Sequence, residues 1–178
     1  MDTYFALLRG INVGRAKRLA MADLRALVEG LGCGDVRTLL NSGNVVFTAP
    51  RGDPGGLASA IEQALEREAG VASRTTVLTA PELAGIVGEN PLLDVATDPS
   101  RLLVAVLRQP ADRERLEPLL EQDWQPDALA LGKRAAYLWC PEGQLQSRIP
   151  EAVERLVGDA VTTRNWRTIT KLHALAAD

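Results

Sequence analysis

The chain has 178 residues, of which 46% are hydrophobic and 24% charged, and its formal net charge is −3. These proportions are those of an ordinary globular protein. A net charge so close to zero excludes a global field that would draw the chain onto nucleic acid or an anionic membrane, so any such role needs a local patch. The apolar runs are too short to cross a bilayer. With two cysteines far apart in sequence and no basic-then-apolar leader, a cytoplasmic location is expected.

The first half of the chain predicts the order β-α-β-β-α-β followed by a short helix. Apolar and β-branched runs predict strands at residues 4–8, 36–40, 45–48 and 74–79. Helical spacing of apolar residues predicts helices from Met21 to the glycines at 30–34, through Leu57 to Leu65, and from Pro81 toward Gly88. The tetrapeptide Asn41-Ser42-Gly43-Asn44 predicts a hairpin turn, because Asn and Gly accept the positive φ of a tight turn.

The second half repeats this order after a Pro-containing connector at residues 90–100. Strands are predicted at residues 102–107, 128–131, 135–140 and 160–163, and helices from about residue 112, from about residue 147 and around Ile169 to Leu175. The order of each half is that of a split βαβ unit. The sequence therefore predicts an α+β protein with two ferredoxin-like (βαββαβ plus extra helix) subdomains in tandem, at residues 1–90 and 91–178.

Several chemistries find little support in the sequence. A single histidine, His173, cannot supply the ligands of a structural zinc, and no metal is expected. Cys140 ends an apolar strand, which is typical of a small buried hydrophobe rather than a nucleophile. The glycines at 30, 32 and 34 end a helix instead of opening one, so they form no phosphate loop. No cofactor and no catalytic residue is predicted.

Three polar segments remain as candidate ligand-binding residues. Between residues 9 and 18 there are four cations and no acid, and Arg9, Asn12 and Lys17 belong to this segment. The hairpin turn contributes Asn41, Ser42 and Asn44, and a strand-to-helix junction contributes Arg164, Asn165, Trp166 and Lys171. A helix N-terminus beside Arg164 would suit an anion, and Trp166 could stack on a base. Each segment also has a structural alternative: a solvated basic loop, ordinary turn chemistry, and an N-cap at Asn165 beside a core Trp166.

Several stretches resemble a known family. They are the segments 8–14 and 21–25, the hairpin 41–47, the segment 137–141, and the segments 162–166 and 170–172. In this order and content they resemble the domain-of-unknown-function family numbered 1697. The resemblance extends along the whole chain and implies a two-subdomain α+β fold. It assigns no catalytic residue, because the family has none established.

Three functional hypotheses are open at this point. The first is binding of a phosphate-bearing ligand, a nucleotide or nucleic acid, in a basic cleft between the subdomains, where ligand pockets tend to form. The second is a metal-independent enzyme acting on a small anionic substrate, for which the sequence offers no convincing general base. The third is a structural or interaction role through exposed sheet edges. The oligomeric state is not predicted, and no membrane partner is expected.

Overall fold

The computed structural model describes residues 1–176 and confirms the α+β class: this part of the chain has eight strands in two four-stranded antiparallel sheets, with six α-helices. Two compact units divide the fold. Unit 1 is Met1–Leu83 together with the chain from Leu172 onward, and unit 2 is Ala84–Lys171. The division predicted at residue 90 stays a prediction. Within residues 1–176 no helix combines the length and apolarity that a membrane span requires.

Unit 1 contains one sheet of four antiparallel strands in the order β2-β3-β1-β4. The strands are β1 (Asp2–Leu8), β2 (Gly34–Leu39), β3 (Asn44–Ala49) and β4 (Thr75–Thr79). The helices α1 (Met21–Gly30) and α2 (Pro54–Ala64) follow β1 and β3, and a π-helical turn, Leu65–Ala69, extends α2. Each predicted strand of this half is present within two residues of its predicted limits.

The core of unit 1 forms between one face of the sheet and these two helices. The stripe Leu24, Leu27 and Val28 of α1 packs in the same cluster as Tyr4 and Phe47 of the sheet. The rings of Tyr4 and Phe47 stack with centroids 5.9 Å apart. Helix α2 begins where Asp53 accepts a hydrogen bond from the Gly55 amide (3.0 Å), and Pro54 occupies the first helical position, where its missing N–H has no cost.

Unit 2 has a second four-stranded sheet in the order β6-β7-β5-β8. Its strands are β5 (Leu102–Leu107), β6 (Ala128–Leu131), β7 (Ala135–Trp139) and β8 (Val161–Asn165), and α5 (Ile149–Val157) packs on one face. The single helix predicted from residue 112 is wrong in detail. Only α4 (Arg113–Leu116) is α-helical there, between 3₁₀ turns at Pro110–Asp112 and Glu117–Glu121. Pro118 has no N–H to continue an α-helical ladder, which is a physical reason for the break.

Two further helices directly follow the last strand of a sheet. Helix α3 (Ala80–Gly88) starts at a capping box: the Glu82 amide donates to Thr79 Oγ1 (3.2 Å), and the Thr79 amide donates to Glu82 Oε2 (2.8 Å). Helix α6 (Trp166–Leu175) starts at Asn165, whose Oδ1 accepts from the Thr168 amide (2.9 Å). At each helix start a side chain of the preceding strand thus accepts a hydrogen bond from one of the first helical amides.

Candidate functional site

The two units have corresponding backbone hydrogen bonds at one corner of each sheet. In unit 1 the Leu8 amide donates to the Gly43 carbonyl at 2.9 Å, and in unit 2 the Leu107 amide donates to the Arg134 carbonyl at the same distance. The next residue in each unit also corresponds. The Arg9 amide donates to the carbonyl of residue 74, and the Arg108 amide donates to the carbonyl of residue 160, both at 2.9 Å. These bonds make the corners equivalent, so each unit is an internal control for the other.

Unit 1 has a much longer connection after its first strand at this corner. Twelve residues, 9–20, join β1 to α1, whereas two residues, 108–109, join β5 to the first 3₁₀ turn of unit 2. The hairpin turns themselves do not differ in length: four residues, 40–43, separate the paired Leu39 and Asn44, and four, 132–135, separate the paired Leu131 and Ala136. The fold of unit 2 closes without the extra residues of the 9–20 connection, and loops of this kind commonly carry function. We call residues 9–20 and 40–43 the loop–turn corner.

Asn12 holds the two parts of the loop–turn corner together. Its Nδ2 donates to the carbonyls of Leu19 (2.9 Å) and Asn41 (2.8 Å), and its Oδ1 accepts from the Leu19 amide (2.8 Å). The residue lies at φ 55, a left-handed conformation that Asn tolerates better than most residues. Both Nδ2 protons are used, so the Asn12 side chain positions the loop and has no donor left for a ligand.

The hairpin turn is consolidated in the same way. Buried Asn44 donates through Nδ2 to the Leu39 carbonyl (2.7 Å) and to Ser42 Oγ (2.9 Å). Gly43 lies at φ 87, and the side chain of Ile11 packs directly over it. Of the three predicted turn residues, Ser42 and Asn44 therefore support the turn itself, whereas the Asn41 side chain is exposed.

The cations of the loop keep their charge on the surface. Arg15, Lys17 and Arg18 are exposed, and Arg9 is half-buried. Lys17 Nζ donates to the Ala69 carbonyl (2.7 Å), and Arg18 Nη1 donates to the Asn12 carbonyl (2.5 Å). Carbonyl oxygens orient a cation without neutralising it. Among residues 1–176, Arg15, Lys17 and Arg18 form no ion pair, so their positive field is uncompensated by a direct partner.

The start of α1 opens beside these cations. Ala20 occupies the N-cap position and offers no side-chain acceptor. The Asp23 and Leu24 amides bond to the Ala20 carbonyl, and within the described chain the Met21 and Ala22 amides have no acceptor. A cavity of about 400 Å³ adjoins this helix start, and its lining is Asn12, Arg18, Leu19, Ala20 and Asn41. Free amides and the positive end of the helix dipole meet Arg18 there.

The equivalent corner of unit 2 is filled by its own side chains. The Arg134 guanidinium donates through Nε to the Leu107 carbonyl (2.8 Å) and through Nη2 to the Arg108 carbonyl (2.9 Å). Arg113 Nε donates to the Gly132 carbonyl (2.9 Å). In unit 2 the Arg134 side chain thus stabilises the end of β5. In unit 1 Gly43 occupies the position equivalent to Arg134, and the cations lie on the loop of residues 9–20.

The predicted residues at the β8–α6 junction lie in unit 2 and have mainly structural contacts. Arg164 is 8% exposed, and its Nη1 donates to Thr162 Oγ1 (2.8 Å) and the Thr163 carbonyl (3.0 Å). Burial lowers the pKa of Arg164 to about 10. Asn165 caps α6, Trp166 is half-buried at its first position, and Lys171 is exposed. The expectation that this junction shares a cleft with the basic loop stays a prediction.

The remaining reactive groups are unremarkable. Cys140 is fully buried and Cys33 half-buried, and burial raises the pKa of both thiols. His173 is half-buried on α6. Within the described part of the chain, no three His, Cys, Asp or Glu side chains come together as metal ligands would.

Residues 1–137 match a family described as proteins of unknown function, DUF1697. The chain belongs to the DUF1697 family. The match includes the whole loop–turn corner of this DUF1697 protein, and it ends before the β8–α6 junction. No curated protein matches the chain.

Among solved structures, the DUF1697 chain is similar over nearly its full length to a streptococcal protein. It is a conserved bacterial protein, SP0830, from Streptococcus pneumoniae, with a TM-score of 0.79 and 21% sequence identity, and 98% of each chain is covered. At this identity the likeness shows a shared fold.

Sequence reasoning missed the open start of α1, although a signal was present. A helix predicted from Met21 places Ala20 at the N-cap, where Ser, Thr, Asp or Asn is usual. The absence of a capping residue could have indicated a helix start available to a ligand. The difference in connection length between the units was equally readable from the predicted strands.

Proposed function

We propose that this protein binds a phosphate-bearing ligand, a nucleotide or the end of a nucleic-acid strand, at the loop–turn corner of unit 1. The observation that carries the proposal is the α1 start, whose Met21 and Ala22 amides open beside a cavity that Arg18 lines. Backbone amides at a helix N-terminus, the helix dipole and a guanidinium are three donors suited to a phosphate group.

The charge pattern supports an anion in this place. Arg15, Lys17 and Arg18 lie on one loop without an ion-pair partner among residues 1–176, and the nearest acid along the chain is Asp23 in the first turn of α1. The cavity of about 400 Å³ is within the range of small-molecule sites. Its five lining residues include no carboxylate, imidazole or thiol, so this lining supports binding better than acid–base catalysis.

A titration with a matched pair of arginine variants tests the proposal. Fluorescence titration of adenosine 5′-monophosphate and of a short single-stranded oligonucleotide is run at 20 and at 200 mM salt. Arg18→Gln is expected to weaken binding about tenfold, because it removes a charge-assisted hydrogen bond. The control Arg51→Gln removes an exposed arginine of the same unit that is paired with Asp2. It should leave the affinity unchanged.

The salt dependence is the second readout. Binding through phosphates releases counterions, so affinity should fall as salt rises, and Arg18→Gln should reduce the slope for the oligonucleotide by about 0.7. Absence of binding at 20 mM salt would end the proposal. So would an equal loss of affinity in Arg51→Gln, because a general charge effect rather than a site would then account for the data.

We also propose that each unit is a ferredoxin-like (βαββαβ) subdomain. The strand orders β2-β3-β1-β4 and β6-β7-β5-β8 are the same in antiparallel arrangement, and the element order of both halves supports this assignment. An experimental structure with another strand order in either sheet would overturn it.

A further inference from the structure

Deepening the proposed function, on which it rests, we infer that the ligand carries an unpaired nucleobase and that the rim of the loop–turn corner contacts this base. The rim consists of Val13, Leu40 and Asn41. Two of these are exposed aliphatic side chains, and the third is an exposed amide.

Leu40 is the first indication. It lies at φ 61 with 51% of its surface exposed. A left-handed conformation is costly for leucine and nearly free for glycine, and an exposed leucine gains little from burial that would offset the cost. An apolar side chain kept in a strained and exposed position indicates a role outside folding.

Val13 presents a second aliphatic side chain at the same corner. It is 56% exposed, and neither it nor Leu40 belongs to the core cluster of unit 1. The hydrogen bond from Asn12 Nδ2 to the Asn41 carbonyl (2.8 Å) joins the residue next to Val13 to the residue next to Leu40. Val13 and Leu40 are thus the chain neighbours of the two residues that this bond joins, and Asn12 and Asn41 both line the cavity.

Asn41 supplies the polar part of the rim. Its backbone carbonyl accepts from Asn12, but its side-chain amide has no hydrogen-bond partner among residues 1–176. A free carboxamide offers a donor and an acceptor in one plane, which matches the edge of a nucleobase. A sugar phosphate would use the cations and the α1 amides but would leave this amide and both aliphatic side chains unused.

The three rim residues thus complement a flat group with an apolar face and a polar edge, attached to a phosphate. A nucleobase in a duplex offers no free face to such a rim, because its faces are stacked on neighbouring bases and its Watson–Crick edge is paired. A free nucleotide and a single strand share the required chemistry, and the probes below separate them.

The experiment measures the affinities of wild-type protein and of Leu40→Gly for adenosine 5′-monophosphate and ribose 5-phosphate at 20 mM salt. Wild type is expected to bind the nucleotide about tenfold more tightly than the sugar phosphate. Leu40→Gly should bring the nucleotide affinity close to that of ribose 5-phosphate and leave the latter unchanged. Its Tm should stay equal or rise, because glycine relieves the strained φ. Leu145→Ser, at a leucine that is 91% exposed in unit 2, is the matched control and should change neither affinity.

The outcomes separate this inference from the proposed function. Equal affinities for both probes, with no effect of Leu40→Gly, would overturn base contact and leave phosphate binding standing. Failure of both probes and of a short oligonucleotide to bind would remove the proposed function itself. An oligonucleotide that binds more tightly single-stranded than in a duplex supports the inference and identifies a strand as the source. A duplex that binds as tightly as the single strand would overturn it.

Discussion

Gly43 offers a quantitative test of how firmly the basic loop is locked onto the hairpin turn. A Cβ added there would lie 2.5 Å from Ile11 Cδ1 and 2.9 Å from Leu8 Cβ, and φ is 87. Gly43→Ala therefore combines backbone strain of about 1 kcal/mol with overpacking of about 1–3 kcal/mol. We expect the free energy of unfolding to fall by about 3 kcal/mol and the Tm by about 6–12 °C.

Gly14 is the control, because it has a similar backbone and empty space around it. Its φ is 51, and a Cβ there would meet no atom of the described residues, 1–176, within 4 Å. Gly14→Ala should therefore show the backbone cost alone, about 1 kcal/mol. Urea denaturation followed by circular dichroism measures both variants, and the difference between them isolates the steric contact with the loop.

A double variant identifies the atom responsible. Ile11→Val deletes Cδ1, the atom nearest to the added methyl group. In the Gly43→Ala background it should recover about 1 kcal/mol relative to the sum of the single effects. Equal losses in Gly43→Ala and Gly14→Ala, or strict additivity with Ile11→Val, would refute the reasoning: the loop would then yield freely and could not hold its cations in place.

Two further predictions concern residues outside the loop–turn corner. Asn165→Ala should lower the free energy of unfolding by about 1 kcal/mol in urea denaturation, through loss of the α6 cap, without changing phosphate affinity. Weaker binding at unchanged stability would instead place Asn165 in the site. Because burial raises the pKa of Cys33, less of its thiol is ionised at pH 7.5, so iodoacetamide should alkylate it more slowly than free cysteine, with a rate that still climbs above pH 9. Cys140 should react only in the urea-unfolded chain, and mass spectrometry distinguishes the two sites.

Most secondary structure was accessible from the sequence because its determinants are local. The run of apolar residues in β5, the stripe Leu24, Leu27 and Val28 of α1, and the Asn-Gly hairpin turn depend on neighbours within a few positions. The break in the helix after β5 also has a local cause, Pro118. The pattern of charged and apolar residues from residue 112 nevertheless predicted one continuous helix.

Only part of the candidate site could be predicted from the sequence. The sequence indicated a basic loop and a polar turn. It did not indicate that the Asn12 side chain uses both of its N–H donors to join them. This bond joins residues 29 positions apart, and such a partner depends on the register of β1 and β3. The same reason applies to the start of α1, which is open because no side chain among residues 1–176 caps it.

By itself, the sequence determined the α+β class, the order of strands and helices in both halves, and the segments that carry cations. Tertiary structure decided what those cations do. Arg164, for which the anion-ligand role stays a prediction, pairs with Val104 in the β5–β8 register and is 8% exposed. Arg15, Lys17 and Arg18 are exposed on the loop of residues 9–20. The apolar periodicity of strands and helices depends on residues that are close in sequence. Burial of a charge depends instead on which strands pair and on what covers them.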